Sequence, residues 1–242
     1  MLFSKLAADL KAIKYRDPAF GSYFTAPFVY PSFQVLLCFR IANPLWRIGL
    51  RFPARFLMQI ARWLTGIEIH PGATIGAGLF IDHGMGVVIG ETAEIGRDVT
   101  LYHGVTLGGV MPAIDSQSQR CVKRHPTLHD YVIVGAGAQI LGPITIGKCA
   151  RVGGNSVVTK DIPEGVTMVG VPARPIPQKQ EDGFVAYAVS DGAGEDYREK
   201  TIIALSREIS VLRKRLDELS AEHEIHLPET TAEDINQPTA DK

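Results

Sequence analysis

Between Ile69 and Val158 an aliphatic side chain returns every six residues. Ile69, Ile75, Ile81 and Val87 keep one frame; Ile89, Ile95, Leu101 and Leu107 keep a second, shifted by two; Leu128, Val134, Ile140, Ile146, Val152 and Val158 keep a third. A helix repeats every 3.6 residues and a strand alternates every two, so this period belongs to neither. It is the period of a hexapeptide parallel β-helix. Each short strand sends one aliphatic side chain into a continuous core, and the Gly that often follows lets the chain turn a corner. Three hexapeptides close a triangular coil of about 18 residues, and coils stack at strand spacing, ~4.8 Å.

A scaffold this regular puts its chemistry in the breaks. The largest falls between Gly108 and Thr127, where GGVMPAIDSQSQRCVKRHPT contains no hexad. A polar insert between two coils has to loop out of the prism, and long loops in compact domains are usually functional. The extruded loop 108–127 ends in Arg124-His125-Pro126, a cationic and titratable pair stiffened by proline.

Outside the repeat, residues 1–66 read as an α-helical N-terminal oligomerisation domain. Ser4–Lys14 has helical apolar spacing, and Phe33–Leu64 is a long amphipathic stretch that Pro44 and Pro53 are expected to divide. Its arginines admit a membrane-surface helix, but packing on a partner subunit is the favoured reading. The repeat domain occupies 67–177. Residues 178–197 read as a linker, 198–220 as a short coiled-coil helix with Ile202, Leu205, Ile209, Leu212, Leu216 and Leu219 at a and d, and 221–242 as a disordered tail. The fold class is therefore mainly β, with helices at both ends.

Composition narrows the function. Lys+Arg 25 against Asp+Glu 26 leaves a formal net charge of −1, which offers no footprint for nucleic acid or an anionic membrane. MLFSKLAADLKAIK has no signal-peptide core, and no apolar run is long enough to span a bilayer. Cys38, Cys121 and Cys149 lack metal-ligand spacing. A reduced, cytoplasmic protein is expected.

Histidine is the natural base near neutral pH. His83 follows Asp82 at the first frame shift and is flanked by Gly84 and Gly86, so a substrate can approach closely. Glu68 lies 15 residues earlier, close to one coil, where it can accept a hydrogen bond from the imidazole and fix its tautomer. His103 reads as an interface histidine, His70 as a corner residue and His129 as an exposed strand start. A zinc site would need three convergent neutral imidazoles; His83, His103 and His125 could supply them only between chains. Asp82, Glu68 and Arg124 suit a small zwitterion better. Arg124 matches a carboxylate, while Asp82 and Asp17 match an ammonium.

These residues resemble the serine O-acetyltransferases, the left-handed β-helix enzymes of cysteine biosynthesis. The motifs are RDPA at Arg16–Ala19, IEIHPGATIG at Ile67–Gly76, DHGMGVVIGETA at Asp82–Ala93, VTLGG at Val105–Gly109, RHP at Arg124–Pro126, VGAGAQILGPI at Val134–Ile144 and GVPAR at Gly170–Arg174. The resemblance implies acetyl transfer from acetyl-CoA to the hydroxyl of L-serine, with no metal. It implies a homotrimer or a dimer of trimers. It makes His83 the general base and Glu68 its carboxylate partner, at a position where the family usually has Asp. Asp17 and Asp82 become serine-binding acids, and Arg124 and His125 the pair that grips the serine carboxylate across a subunit boundary. Gly109, Ala136 and Gly154 fall where the family's backbone lines the pantetheine groove.

Three departures accompany the resemblance. The N-terminal region is short, the loop before Arg124 is long and carries Cys121, and the chain closes on Ala-Asp-Lys after the heptads. The last argues against a complex with O-acetylserine sulfhydrylase. Competing readings are a hexapeptide acetyltransferase for another hydroxyl acceptor, such as a sugar, and a zinc lyase of the γ-carbonic-anhydrase type.

Overall fold

The computed structural model describes residues 2–110, 120, 122–176 and 206–216. Two compact units are present, Met1–Asp182 and Gly183–Lys242. In the first, four helices, α1 (Leu2–Arg16), α2 (Ala26–Val29), α3 (Pro31–Arg47) and α4 (Arg51–Thr65), precede fifteen short strands.

The strands stack into three parallel faces. The first holds β1 (Glu68–Ile69), β4 (Val88–Ile89), β7 (Thr106–Gly108), β10 (Gln139–Leu141) and β13 (Val157–Val158). The second holds β2 (Thr74–Ile75), β5 (Glu94–Ile95), β8 (Thr127–Leu128) and β11 (Thr145–Ile146). The third holds β3 (Phe80–Ile81), β6 (Thr100–Leu101), β9 (Ile133–Val134), β12 (Arg151–Val152) and β14 (Thr167–Val169), closed by the antiparallel β15 (Arg174–Pro175). One aliphatic residue per strand enters the core: Ile89, Leu101, Leu107, Leu128, Ile140 and Ile146 are all almost wholly buried.

Both breaks in the hexad rhythm now have a physical form. Phe80 pairs with Thr100 and Glu68 with Val88, twenty positions apart rather than eighteen. The two extra residues sit in the corner 82–87, where the chain passes from the third face to the first. At the second break Leu128 stacks directly on Ile95. The insert therefore leaves the corner between the first and second faces and returns without disturbing the order of faces. Its residues 111–119 and Cys121 lie outside the described residues.

The helices cap the open end of the prism. Val35, Leu36, Phe39, Ala42, Ala54, Met58 and Ala61 form one continuous hydrophobic core with Ile67, Ile69, Ile75 and the strands beyond. Phe80 faces outward and is covered by Ala12, Ile13 and Phe33. The break between α3 and α4 does not fall at the prolines, as the sequence suggested. It falls at Gly49, whose left-handed φ of 89° turns the chain. Pro44 is tolerated in the last turn of α3, and Pro53 sits in the first turn of α4, where a missing N–H leaves nothing unpaired.

In the second unit, residues 206–216 are helical and exposed throughout, including Ile209, Leu212 and Leu216 of the heptad pattern. The expected linker 178–197 and tail 221–242 lie outside the described residues. No helix among the described residues is long and apolar enough to cross a membrane.

Candidate active site

Two edges of the prism carry the residues singled out by sequence. The edge between the third and first faces begins with Asp82-His83. The extra corner residues turn the backbone through a left-handed conformation at His83, φ 58°, a region His enters more readily than most side chains. This swings the imidazole outward, and it is 74% exposed. Its Nε2 lies 3.9 Å from Asp82 Oδ2, an ion-pair distance rather than a hydrogen bond. Directly below stands His103, its ring edge-on to that of His83 at 5.8 Å between centroids.

The corner continues downward through backbone bonds: Gly104 N–H to Met85 O, Gly137 N–H to His103 O, and Asn155 N–H to Ala136 O. Ala136 and Gly154 thus lie two and three coils below His83, at about 10 and 14 Å from the coil spacing. Small residues, Gly104, Ala136, Gly137 and Gly154, occupy this strip of the edge. Gly109 is not on this strip. It leaves the first face on the next edge, where an added Cβ would meet Arg124 O at an ordinary 3.6 Å.

Asp17 approaches the His83 edge from the end of α1. Its Oδ1 accepts from Ala19 N–H at 2.7 Å and its Oδ2 from the Tyr30 hydroxyl at 2.6 Å. Burial, that hydrogen bond and the charges of Asp17 and Asp82 push the Tyr30 phenol up to about 12. A neutral phenol therefore donates to Asp17, within reach of the Asp82 charge. Tyr30 was not legible in the sequence, because nothing in helical spacing ties it to a residue 13 positions earlier.

Glu68 differs from expectation. Its backbone lies on the His83 corner, with Glu68 N–H donating to Val87 O and Gly86 N–H to Gly66 O. Its carboxylate, however, pairs with Arg62 at 3.0 Å, and among the described residues it makes no hydrogen bond to His83. The cause is the last turn of α4, which presents the Arg62 guanidinium to the same space.

Arg124 and His125 occupy the other edge, between the first and second faces. Arg124 Nη2 donates to Glu91 Oε2. Burial works to raise the Glu91 carboxyl, but the Arg124 hydrogen bond and the charges of His70, Arg124 and His125 outweigh it and hold it below its ordinary value. His125 is buried, and burial together with the Arg124 charge lowers its pKa. Its ring lies against Gly90, where a Cβ would fall 2.1 Å from Cδ2; only glycine leaves that space. Beside it a polar cleft of about 330 Å³ is lined by Trp46, Gly72, Glu91, Thr92, Glu94 and Lys123, among others. Lys123 closes the loop end by donating to Thr92 O and Glu94 Oε1, both at 2.8 Å. His70 on the same edge is held near 4 by burial. Glu91 and Thr92 stand in the GETA motif but carry no periodic signal; they emerge only once the loop returns beside them.

The chain thus brings together Asp17, Asp82, His83, Ala136 and Gly154 on one edge, and Arg124, His125 and Gly109 on the next. Within one chain His83 and His103 share an edge while His125 stands on the next, and no group of three potential metal ligands is present among the described residues.

Residues 125–160 match the family of bacterial transferase hexapeptide (six repeats) proteins. The serine acetyltransferase of Helicobacter pylori strain J99 is 52% identical over 171 residues, covering 71% of this chain and 96% of that protein. Soybean serine acetyltransferase complexed with serine superposes with a TM-score of 0.68 at 43% identity, covering 72% of this chain and 69% of that one. A serine acetyltransferase in complex with CoA superposes with a TM-score of 0.65 at 37% identity, covering 72% and 69%. These likenesses give the prism its hand, a left-handed parallel β-helix. On sequence, fold and the chemistry of its two edges, the chain belongs to the serine acetyltransferase family, and is an acyltransferase.

Proposed function

We propose that this protein transfers the acetyl group of acetyl-CoA to the hydroxyl of L-serine, giving O-acetyl-L-serine and CoA, at a site shared between two copies of the chain in a trimer. The observation that supports it best is the division of labour between the edges. Base and acids lie on one, and guanidinium and second imidazole on the next. A face of six residues spans up to ~20 Å at about 3.3 Å per residue, far beyond the reach of a free amino acid. A threefold arrangement sets the His83 edge of one copy against the Arg124 edge of the next.

In this arrangement Asp17 and Asp82 hold the serine ammonium, and Arg124 and His125 of the neighbouring copy hold its carboxylate. Two charged anchors on a molecule this small fix the hydroxyl between them. His83 then takes the hydroxyl proton as the oxygen attacks the thioester carbonyl, and returns a proton to the departing CoA sulfur. Ala136 and Gly154 leave room for the pantetheine arm, with Gly109 of the neighbouring copy opposite them. Glu68 acts as orienter of His83 after leaving Arg62. That exposed pair is worth at most about 1 kcal/mol, so substrate binding can redirect it. The helical region 1–66 supports assembly, and the heptads of 198–220 add a short coiled coil. The enzyme works in the cytoplasm.

Purified protein given acetyl-CoA is expected to release CoA thiol on addition of L-serine, with O-acetylserine as the other product. Turnover with sugars and none with serine would overturn the reading.

A further inference from the structure

The residue most tightly wound into the carboxylate-binding edge is one to which the reaction assigns no role. Thr92 lies 33 positions from His125, and it meets His125 three times and Arg124 once. Its Oγ1 accepts the backbone N–H of Arg124 at 3.0 Å and that of His125 at 3.1 Å. The same oxygen stands 2.8 Å from His125 Nδ1, and the Thr92 backbone N–H donates to that nitrogen at 3.1 Å.

The hydrogens can be counted. A hydroxyl has two acceptor lone pairs and one proton. Both lone pairs of Thr92 Oγ1 are engaged by the two amides, so its proton is directed to Nδ1. His125 Nδ1 then faces two donors, the Thr92 amide and the Thr92 hydroxyl, and cannot itself carry hydrogen. In a neutral imidazole the proton must therefore reside on Nε2. The charges facing the ring are Arg124, Glu91 and Lys123, and burial with the two cations favours the neutral form.

We propose that Thr92 is a positioning residue for substrate recognition: it fixes His125 as the Nε2–H tautomer, a neutral hydrogen-bond donor, and holds the Arg124–His125 backbone in register for the acceptor's carboxylate. The proposal rests on the reading that Arg124 and His125 bind that carboxylate. It adds that one of the two clamps is a dipole and not a second cation, and that a residue outside the clamp decides this. Gly90 completes the device, since its missing Cβ lets the ring lie where Thr92 can reach Nδ1.

The test uses the full chain with 15N-labelled histidine. A long-range 1H–15N spectrum at pH 7.5 should show His125 with an unprotonated Nδ1 and a protonated Nε2. Thr92→Ser keeps the hydroxyl and should keep both the spectrum and the kinetics. Thr92→Val should raise KM for serine by about tenfold, the scale of one or two lost hydrogen bonds, with a smaller change in kcat and none in KM for acetyl-CoA. It should also weaken the tautomer bias of His125, leaving the backbone amide of residue 92 as the remaining donor to Nδ1. A wild-type spectrum with Nδ1 protonated, or with a doubly protonated ring, overturns the proposal without need of any variant. So does a Thr92→Val enzyme with wild-type KM for serine. Failure of the underlying reading looks different: Arg124→Ala would then leave KM for serine unchanged, whatever tautomer His125 shows.

Discussion

His83→Asn is expected to lower kcat for acetyl transfer by at least about 10²-fold, the scale of removing a general base, while KM for serine and acetyl-CoA changes little. Asn is the informative replacement because residue 83 sits at φ 58°, and Asn enters that region readily. The corner 82–87 then keeps its backbone bonds, Gly84 N–H to Asp82 O and Gly86 N–H to Gly66 O, and the loss reports the missing base. His103 is the nearest alternative, one coil below at 5.8 Å between ring centroids. Tyr102 and Gly104 flank it in the sequence, whereas Asp82 directly precedes His83 with its carboxylate 3.9 Å from Nε2. Steady-state kinetics with thiol detection give the result; near-normal kcat would remove His83 from the role.

The second large effect is on stability. Arg40→Leu is expected to destabilise the folded chain by about 3–5 kcal/mol, the scale for stripping one partner from a buried ion pair. Asp9 is fully buried and Arg40 is 5% exposed. The guanidinium meets the carboxylate through Nε and Nη2, each at 3.2 Å. Arg40 also donates to the carbonyls of Ile75, at 2.7 Å, and Gly76. Asp9 Oδ1 accepts Gly78 N–H at 2.8 Å. The pair thus ties α1 and α3 to the corner that follows β2 in the first coil. Burial pushes the Asp9 carboxyl up against the pull of Arg40 and of the Gly78 and Leu79 amides. Without Arg40 it is left to take up a proton or remain an unpaired charge, and two backbone carbonyls lose their donor. Arg40→Lys should recover only part, since an ammonium cannot span both carboxylate oxygens and both carbonyls. Denaturant midpoints at one fixed protein concentration check this, and a shift worth under about 1 kcal/mol would show the pair to be dispensable.

The prism was legible in the sequence because period six has one structural meaning, and each face repeats it. The edges were legible only where a break in that period coincided with chemistry. Asp82-His83 announced itself through a two-residue shift, and Arg124-His125 through the insert before it. What escaped were the contacts made across the chain by residues with no period of their own. Thr92 meets His125 only because a loop of unspecified path returns at that corner. Arg40 read as one of five arginines on an amphipathic stretch, and is instead the one buried on Asp9. Glu68 had the expected backbone position but a different partner, because the path of α4 past the first coil, and with it the reach of Arg62, cannot be inferred from hexads. Prolines are the visible breakers in the stretch that forms α3 and α4, yet Gly49 makes the turn between them.

The central claim is that catalysis joins the His83 edge of one copy to the Arg124 edge of another. Co-expressing His83→Asn and Arg124→Ala chains under two different tags, and purifying trimers that carry both, tests it most directly. Around a threefold ring every mixed trimer has a single junction at which an intact His83 meets an intact Arg124, so about one third of wild-type activity should return, although each variant alone is nearly inactive. Mixed trimers no more active than the two parents would place the whole site within one chain, and contradict the account.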